Sequence, residues 1–147
     1  MIALGCDHGG YELMQEVIAH LEKRGLEYHN FGTFSTEAVD YADYGKAVAE
    51  AVRDGKADKG ILICGTGIGI SISANKIKGI RAALCSDCFS AEATRQHNDA
   101  NILSMGARVL GAGLALKIVD TFLDTPFSGD ERHVRRIAKI AEIENEQ

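Results

Sequence analysis

The chain has 147 residues, of which 46% are hydrophobic and 25% charged, and it carries a formal net charge of −5 at pH 7. This length is sufficient for a hydrophobic core, so we expect a single domain over residues 1–147 that folds without disulfides or metals. The acidic balance argues against a nucleic-acid partner, which requires a basic stripe, and no apolar run is long enough for a membrane span.

Apolar runs alternate with helical patterns along the chain. The runs predict five strands, at Met1–Cys6, Leu26–Phe31, Lys59–Cys64, Ile80–Cys85 and Ile102–Ser104. The helical patterns predict a helix opened by the loop after the third strand, and others at Tyr11–Lys23, Tyr41–Asp54, Cys88–His97 and Gly111–Leu123. This order predicts an α/β fold, a three-layer α/β/α sandwich around a five-stranded parallel, Rossmann-like sheet.

One more helix is predicted at Glu131–Ile143, beyond the only proline, Pro126. Its apolar stripe has helical spacing and consists of Val134, Ile137, Ile140 and Ala141. No strand follows this segment, so we expect an extra C-terminal helix that docks outside the sheet layers.

Two features of the sequence predict a cytoplasmic protein. The first ten residues, MIALGCDHGG, lack the basic start of a signal peptide. The four cysteines lie near the ends of predicted strands rather than in a disulfide framework, which is typical of a reducing compartment. They are Cys6, Cys64, Cys85 and Cys88.

The most informative segment runs from Ile61 to Ser73, ILICGTGIGISIS, in which a predicted strand delivers Cys64 to a glycine-spaced loop. Glycines allow backbone N–H groups to turn inward, and the N-terminus of the following helix adds partial positive charge. Such a loop binds a negative oxygen and stabilises a thiolate beside it. The glycines concerned are Gly65, Gly67 and Gly69.

The loop matches neither common nucleotide-binding motif. A dinucleotide fingerprint needs a third glycine where Ile70 stands, and a P-loop needs GKS or GKT, which the chain lacks. Glycine-rich turns are also common without a catalytic role, and a cysteine ending a buried strand is often an apolar filler. The loop alone therefore leaves a catalytic and a structural interpretation open.

Ligands of open parallel sheets bind beyond the carboxyl ends of the strands, and we expect the polar clusters of this chain to lie there. Asp7 and His8 follow the first strand as a candidate acid-base pair, although Asp7 is equally suited to capping a helix and His8 to solvent. Asp40, another candidate cap, and Tyr41 follow the second strand. His97 and Asn98 end the helix before the fifth strand, where a histidine also suits the helix dipole.

Basic residues form the second candidate feature. Arg132 and Arg136 are four residues apart and therefore share one face of the last predicted helix, with His133 beside them, and Arg108 follows the fifth strand. Guanidinium groups match the oxygens of phosphate, so these residues form a candidate phosphate site near the strand ends. The alternative is a solvated basic helix face.

Five motifs in this order resemble one family over essentially the full chain: GCDHGG, DY, CGTGIGISISANK, RQHNDANILSMGARVLG and GDERHVRRI. The pattern is similar to the ribose-5-phosphate isomerases of the B type, within the family that includes galactose-6-phosphate isomerases. The resemblance implies aldose-ketose isomerisation of ribose 5-phosphate and ribulose 5-phosphate, a step of the pentose phosphate pathway, with no metal or organic cofactor.

The resemblance also implies roles for individual residues. Cys64 corresponds to the base that moves a proton between C1 and C2, with Thr66 orienting it and the amides from Gly65 to Gly69 receiving the enediolate oxygen. Some members of the family use a glutamate as base, but no carboxylate stands at position 69, 71 or 75 here. Asp7 and His97 correspond to the pair that opens the sugar ring. The implied substrate ligands are Asp40, Tyr41 and Asn98 for hydroxyls and His8, Arg108, Arg132 and Arg136 for phosphate, with His133 adjacent.

The resemblance further implies a homodimer, or a dimer of dimers, with each site completed across an interface. His97 and Arg108 are the expected crossing residues. A second chain would also give the extra C-terminal helix a surface to pack on.

Three alternatives remain open from the sequence. Cys85 and Cys88 form a C-x-x-C motif at a strand-to-helix junction, which suggests a thiol redox protein and, less well, a zinc site. A phosphosugar-binding module without catalysis would use the same anion loop. An isomerase of six-carbon sugar phosphates, such as allose or galactose 6-phosphate, would use the same reacting carbons.

Overall fold

The computed structural model describes residues 1–147 and contains five strands and six helices. Strands β1 to β5 are Ile2–Cys6, Tyr28–Asn30, Lys59–Cys64, Ala82–Leu84 and Ile102–Gly106. Helices α1 to α6 are Tyr11–Lys23, Tyr41–Arg53, Ile68–Ala74, Cys88–Asn98, Ala112–Asp124 and Glu131–Asn145. All strand pairs are parallel, in the order β2-β1-β3-β5-β4, which confirms the predicted sheet and the extra C-terminal helix.

The sheet lies between two helix layers, and the strand alternation assigns each side chain to one of them. In β3, Ile61 and Ile63 pack into the core that α1, α4 and α5 cover, whereas Leu62 and Cys64 pack into the core under α2 and α3. Strands buried on both faces have continuous apolar runs, as β1, β3 and β5 do. Cys64 therefore belongs to the α2 and α3 side of the sheet.

Three strands have bounds that differ from the prediction by more than one residue: the two edge strands are shorter, and one central strand is longer. The edge strands β2 and β4 pair over only three residues each and are shorter than the predicted Leu26–Phe31 and Ile80–Cys85. Strand β5 instead extends two residues beyond the predicted end, because Met105 and Gly106 pair with Ile63 and Cys64 of β3. This extension brings the chain that follows β5 next to Cys64.

The three central strands β1, β3 and β5 end in register, which creates one functional edge. Cys6 pairs with Ile63, and Cys64 pairs with Gly106. We call the side of the sheet where the strands end the carboxyl edge, and the side where they begin the amino edge. None of the six helices combines the length and the apolar character that crossing a bilayer requires.

Candidate active site

The loops at the carboxyl edge pack main chain against main chain. The amide of Ala107 donates to the carbonyl of Cys64 at 2.9 Å, and the amide of Asp7 donates to the carbonyl of Ile63 at 3.3 Å. A Cβ at Gly106 would lie 2.6 Å from the main chain of Thr66, and one at Gly10 would overlap the Ile63 carbonyl. The floor of this edge therefore consists of backbone, with no room for added side chains.

Cys64 ends β3 with its side chain buried and its sulfur in contact with the loop that follows. The amide of Gly67 donates a hydrogen bond to Sγ at 3.1 Å. Such bonds strengthen when the acceptor is ionised, so this contact is stronger with a thiolate than with a thiol. The sulfur thus contacts the backbone of the glycine loop, and an anion site in this loop stays a prediction.

The turn into α3 depends on a glycine at position 67. Gly67 has φ +79°, a left-handed conformation that side chains disfavour, and a Cβ there would lie 2.6 Å from Leu84 Cδ1 and 2.7 Å from the carbonyl carbon of Met105. Thr66 Oγ1 accepts a hydrogen bond from the amide of Ile68 at 3.2 Å. Thr66 therefore fixes the first turn of α3, and its orientation of the base remains a prediction.

We expect Gly67→Ala to lower the free energy of unfolding by about 3 kcal/mol, because the left-handed φ and the two collisions add. Gly65→Ala is the matched control, since a Cβ at position 65 would meet only the Arg108 side chain, at 3.6 Å. Its expected cost is below about 1 kcal/mol. Urea unfolding of both variants measures the difference, and equal stabilities would contradict this account of the turn.

Asp7 and His8 leave β1 at the carboxyl edge and make defined contacts. The buried Asp7 accepts a hydrogen bond from the amide of Gly10 through Oδ1 at 3.1 Å, so the carboxylate shapes the turn into α1. His8 Nδ1 accepts from the amide of Val39 at 3.2 Å. In a neutral imidazole the proton then lies on Nε2. This contact ties the loop before α2 to the end of β1.

Asp40 and Tyr41 reach the same edge from the start of α2. Asp40 occupies the N-cap position, but its side chain makes no capping hydrogen bond, so the carboxylate is not committed to the helix. The ring of Tyr41 lies over Gly69, where a Cβ would come within 2.6 Å of two ring atoms. Gly69 thus leaves room for the tyrosine ring beside the glycine loop.

Arg108 belongs to the same cluster within one chain. Its amide donates to the carbonyl of Gly65 at 3.0 Å, and its side chain runs alongside Gly65. A groove of about 450 Å³ beside it is lined by Gly9, Leu13, Arg108 and Leu110, among others. The extension of β5 therefore delivers Arg108 to the glycine loop of its own chain, and a contribution of Arg108 across an interface stays a prediction.

His97 and Asn98 lie at the opposite, amino edge. The carbonyl of Asn98 accepts from Arg81 Nε at 2.9 Å, and Arg81 immediately precedes β4. The expectation that every polar cluster lies beyond the strand ends is thus wrong, because α4 runs back along the sheet and ends where strands begin. From Gly60 to Cys64, four strand steps of about 3.3 Å separate the two edges by about 13 Å.

The N-terminal turn of α6 meets the end of α4 at this amino edge. His133 is buried, and its ring centroid lies 4.5 Å from that of His97. Burial lowers the pKa of His133 below its ordinary value, and the nearby His97, Arg132 and Arg136 lower it further against the opposing effect of Asp130. Arg132 approaches only Asp130, at 3.9 Å, and Arg136 forms no ion pair, so both guanidinium groups are available to an anion.

The structure thus divides the predicted site residues into two clusters. The carboxyl-edge cluster contains Asp7, His8, Asp40, Tyr41, Cys64, Gly65, Thr66, Gly67, Gly69 and Arg108. The amino-edge cluster contains His97, Asn98, Arg132, His133 and Arg136. Ser128 is not among the residues predicted from the sequence, yet it hydrogen-bonds His133 at 2.7 Å. Its place in the turn before α6 is the only feature of the sequence that points to it.

The C-x-x-C motif has the properties of a structural element. Burial and the neighbouring Asp87 raise the pKa of the Cys85 thiol to about 11, whereas redox-active cysteines have lowered values. Asp87 caps α4 by accepting from the amide of Ser90 at 2.6 Å. All four cysteines are free, and no three His, Cys, Asp or Glu side chains group as a metal site. These facts argue against the thiol redox and zinc alternatives.

Comparisons with known proteins identify the family of the chain. The family model described as Ribose/Galactose Isomerase matches residues 2–140. The chain is 52% identical to ribose-5-phosphate isomerase B of Escherichia coli over 143 residues, covering 97% of this chain and 95% of that protein. It is 38% identical to the galactose-6-phosphate isomerase subunit LacB of Clostridium acetobutylicum over 148 residues, covering 100% and 86%.

A solved structure extends the likeness to three dimensions. Ribose-5-phosphate isomerase B of Clostridium thermocellum superposes with a TM-score of 0.97 at 56% identity, covering 99% of this chain and 97% of that one. The fold, the family model and the identity over nearly the whole length agree with one another. The chain therefore belongs to the ribose/galactose isomerase family.

Proposed function

We propose that this chain is an aldose-ketose isomerase that interconverts ribose 5-phosphate and ribulose 5-phosphate. The observation that carries the proposal is the buried Cys64, whose sulfur accepts a hydrogen bond from the Gly67 amide of the glycine loop. This places a candidate base beside a candidate oxyanion site. The 52% identity to a protein named ribose-5-phosphate isomerase B supports the same substrate.

The chemistry proceeds through an enediolate. Cys64, as thiolate, removes the proton from C2 of the open-chain aldose, and the electron pair forms the C1–C2 double bond while the carbonyl electrons move to O1. The amides from Gly65 to Gly69 stabilise the charge on that oxygen, and losing one such donor typically costs about 100- to 1,000-fold in rate. A proton passes from O2 to O1, and Cys64 returns its proton to C1, which leaves the carbonyl at C2.

The remaining residues open the ring and bind the substrate. One member of the pair Asp7 and His97 removes the proton of the anomeric hydroxyl while the other protonates the ring oxygen; Asp7 keeps its Oδ2 free of bonds within the chain. Phosphate binding draws on His8, Arg108, Arg132 and Arg136, and hydroxyl binding on Asp40, Tyr41 and Asn98. Binding energy from the phosphate holds the sugar in its reactive pose.

The active unit is a homodimer in which the carboxyl-edge cluster of one chain meets the amino-edge cluster of the other. Within one chain the packed sheet separates the two clusters, so one small sugar cannot contact both. Helix α6 also exposes two residues of its apolar stripe, Val134 and Ile140, at 49% and 43% exposure. A two-fold axis builds two equivalent sites in this way, and a dimer of dimers leaves them unchanged.

The test is the isomerisation itself. We expect purified protein to exchange the C2 proton of ribose 5-phosphate with deuterated water and to form ribulose 5-phosphate. The kcat/KM for ribose 5-phosphate is expected to exceed that for allose or galactose 6-phosphate by about tenfold or more, the usual discrimination against an added carbon unit. Binding without proton exchange would favour a non-catalytic sugar-binding module, and preference for six-carbon phosphates would favour the function named for LacB.

The free cysteines fit a cytoplasmic location.

A further inference from the structure

The turn before α6 contains a serine that contacts one histidine of the amino-edge cluster and the residue before the other. Ser128 Oγ lies 2.7 Å from His133 Nδ1. The amide of Ser128 donates to the carbonyl of Gln96, the residue before His97, at 3.2 Å. Ser128 therefore contacts the end of α4 through its backbone and the start of α6 through its side chain.

Hydrogen-bond accounting leaves two directions for the bond between Ser128 and His133. A serine hydroxyl has one proton and two lone pairs, and the amide of Asp130 already donates to Ser128 Oγ at 3.1 Å. His133 is neutral near pH 7, since burial, His97, Arg132 and Arg136 all lower its pKa and only Asp130 opposes them. The hydroxyl either donates its proton to Nδ1, which leaves the imidazole proton of His133 on Nε2, or accepts from an Nδ1–H group through its second lone pair.

The ring of His133 supports the ring of His97. The two centroids are 4.5 Å apart with an interplanar angle of 35°, and His133 is buried whereas His97 is exposed. A buried ring held by the Ser128 hydroxyl provides a constant surface for the exposed one. Because His133 stays neutral, it also adds no positive charge beside a histidine that must take up and release a proton.

We propose that Ser128 is a positioning residue for ring opening: its hydroxyl holds His133 in the Nε2–H tautomer, and His133 in turn holds the ring of His97. This inference rests on the proposed isomerase function, in which His97 exchanges a proton with the sugar ring. Ser128 acts through His133 and His97, so its expected effect is confined to the step that His97 serves.

The chemistry of the two sugars separates that step from the enediolate chemistry. Ribose 5-phosphate closes into a furanose, whereas ribulose 5-phosphate remains open because its 5-hydroxyl is esterified. Exchange of the C1 proton of ribulose 5-phosphate with solvent deuterium therefore needs Cys64 and the glycine loop but no ring opening. Net conversion of ribose 5-phosphate needs both.

The test compares Ser128→Ala, Ser128→Thr and the control Ser86→Ala, whose exposed serine makes no side-chain hydrogen bond within the chain. We expect Ser128→Ala to lower kcat for ribose 5-phosphate about fivefold, the equivalent of one lost hydrogen bond, with KM and C1 exchange of ribulose 5-phosphate unchanged. The Thr variant keeps the hydroxyl and restores kcat. A variant that loses exchange and conversion together would overturn the positioning role.

Histidine ¹⁵N NMR provides a readout independent of activity. The wild-type chain is expected to show His133 as the Nε2–H tautomer, and Ser128→Ala is expected to show a mixture. An Nδ1–H tautomer in the wild type, measurable even where the alanine variant does not fold, overturns the inference. A chain with the expected tautomer but no proton exchange on either sugar refutes the proposed function, and with it the role in ring opening.

Discussion

Cys64→Ala is expected to lower kcat/KM for ribose 5-phosphate by about 100- to 10,000-fold, the usual effect of removing a general base. The substitution removes the sulfur while the amide of Gly67 and the rest of the glycine loop remain, so binding should change far less than turnover. The variant should also lose C2 proton exchange in deuterated water. The rate of ribulose 5-phosphate formation gives kcat/KM, and NMR of the recovered sugar measures the C2 proton exchange.

Cys88→Ala is the matched control for this substitution. Cys88 is partly buried at the start of α4 and contributes nothing to the carboxyl-edge cluster. Its alanine variant should retain nearly wild-type turnover, which would show that loss of a thiol is harmless elsewhere. Interconversion at close to the wild-type rate in Cys64→Ala would end the proposal that this sulfur moves the proton.

Mixing two inactive variants is expected to restore activity when their defects lie in different clusters. In a heterodimer of Cys64→Ala and His97→Ala, one site combines both defects and the other combines two intact clusters. Random subunit exchange makes half of the dimers mixed, so activity should recover to about a quarter of the wild-type value from two nearly inactive samples. Mild denaturation and refolding of the mixture, followed by the isomerase assay, measures the recovery.

A mixture of Cys64→Ala with Arg108→Ala supplies the control. Both residues lie in the carboxyl-edge cluster of one chain, since the Arg108 amide bonds the Gly65 carbonyl. Every site in a mixed dimer then carries one defect, and no recovery is expected. Recovery in this mixture, or none in the first mixture despite demonstrated subunit exchange, would contradict the shared-site arrangement.

The sheet could be predicted because its central strands are apolar along nearly their whole length. Residues of β1 and β3 are buried on both faces, which produces unbroken apolar runs with clear ends. The lengths of the edge strands β2 and β4 were predicted less accurately. Apolar residues beside them pack against helices without pairing in the sheet, so the apolar runs are longer than the strands. The end of β5 is set by its pairing with β3. A pairing between distant segments leaves no local pattern in the sequence, so this end could not be predicted.

The candidate site was predictable only in part. Residues that end a strand or directly follow one, such as Cys64 and Asp7, necessarily lie at the carboxyl edge. His97 ends a helix instead, and its location depends on where α4 terminates against Arg81 and the start of β4. Ser128 was missed because its contact with His133 arises from a turn whose path is set by tertiary packing.

The backbone floor beneath Cys64 limits how this protein can change under selection. Gly10, Gly67 and Gly106 each press against the main chain of a neighbouring strand or loop, so mutation there destabilises the fold before it reshapes the cavity. Adaptation to longer or shorter sugars would have to occur at exposed rim side chains such as Asp40 and Tyr41. A laboratory-evolution campaign for a new substrate should therefore randomise that rim and leave the glycines untouched.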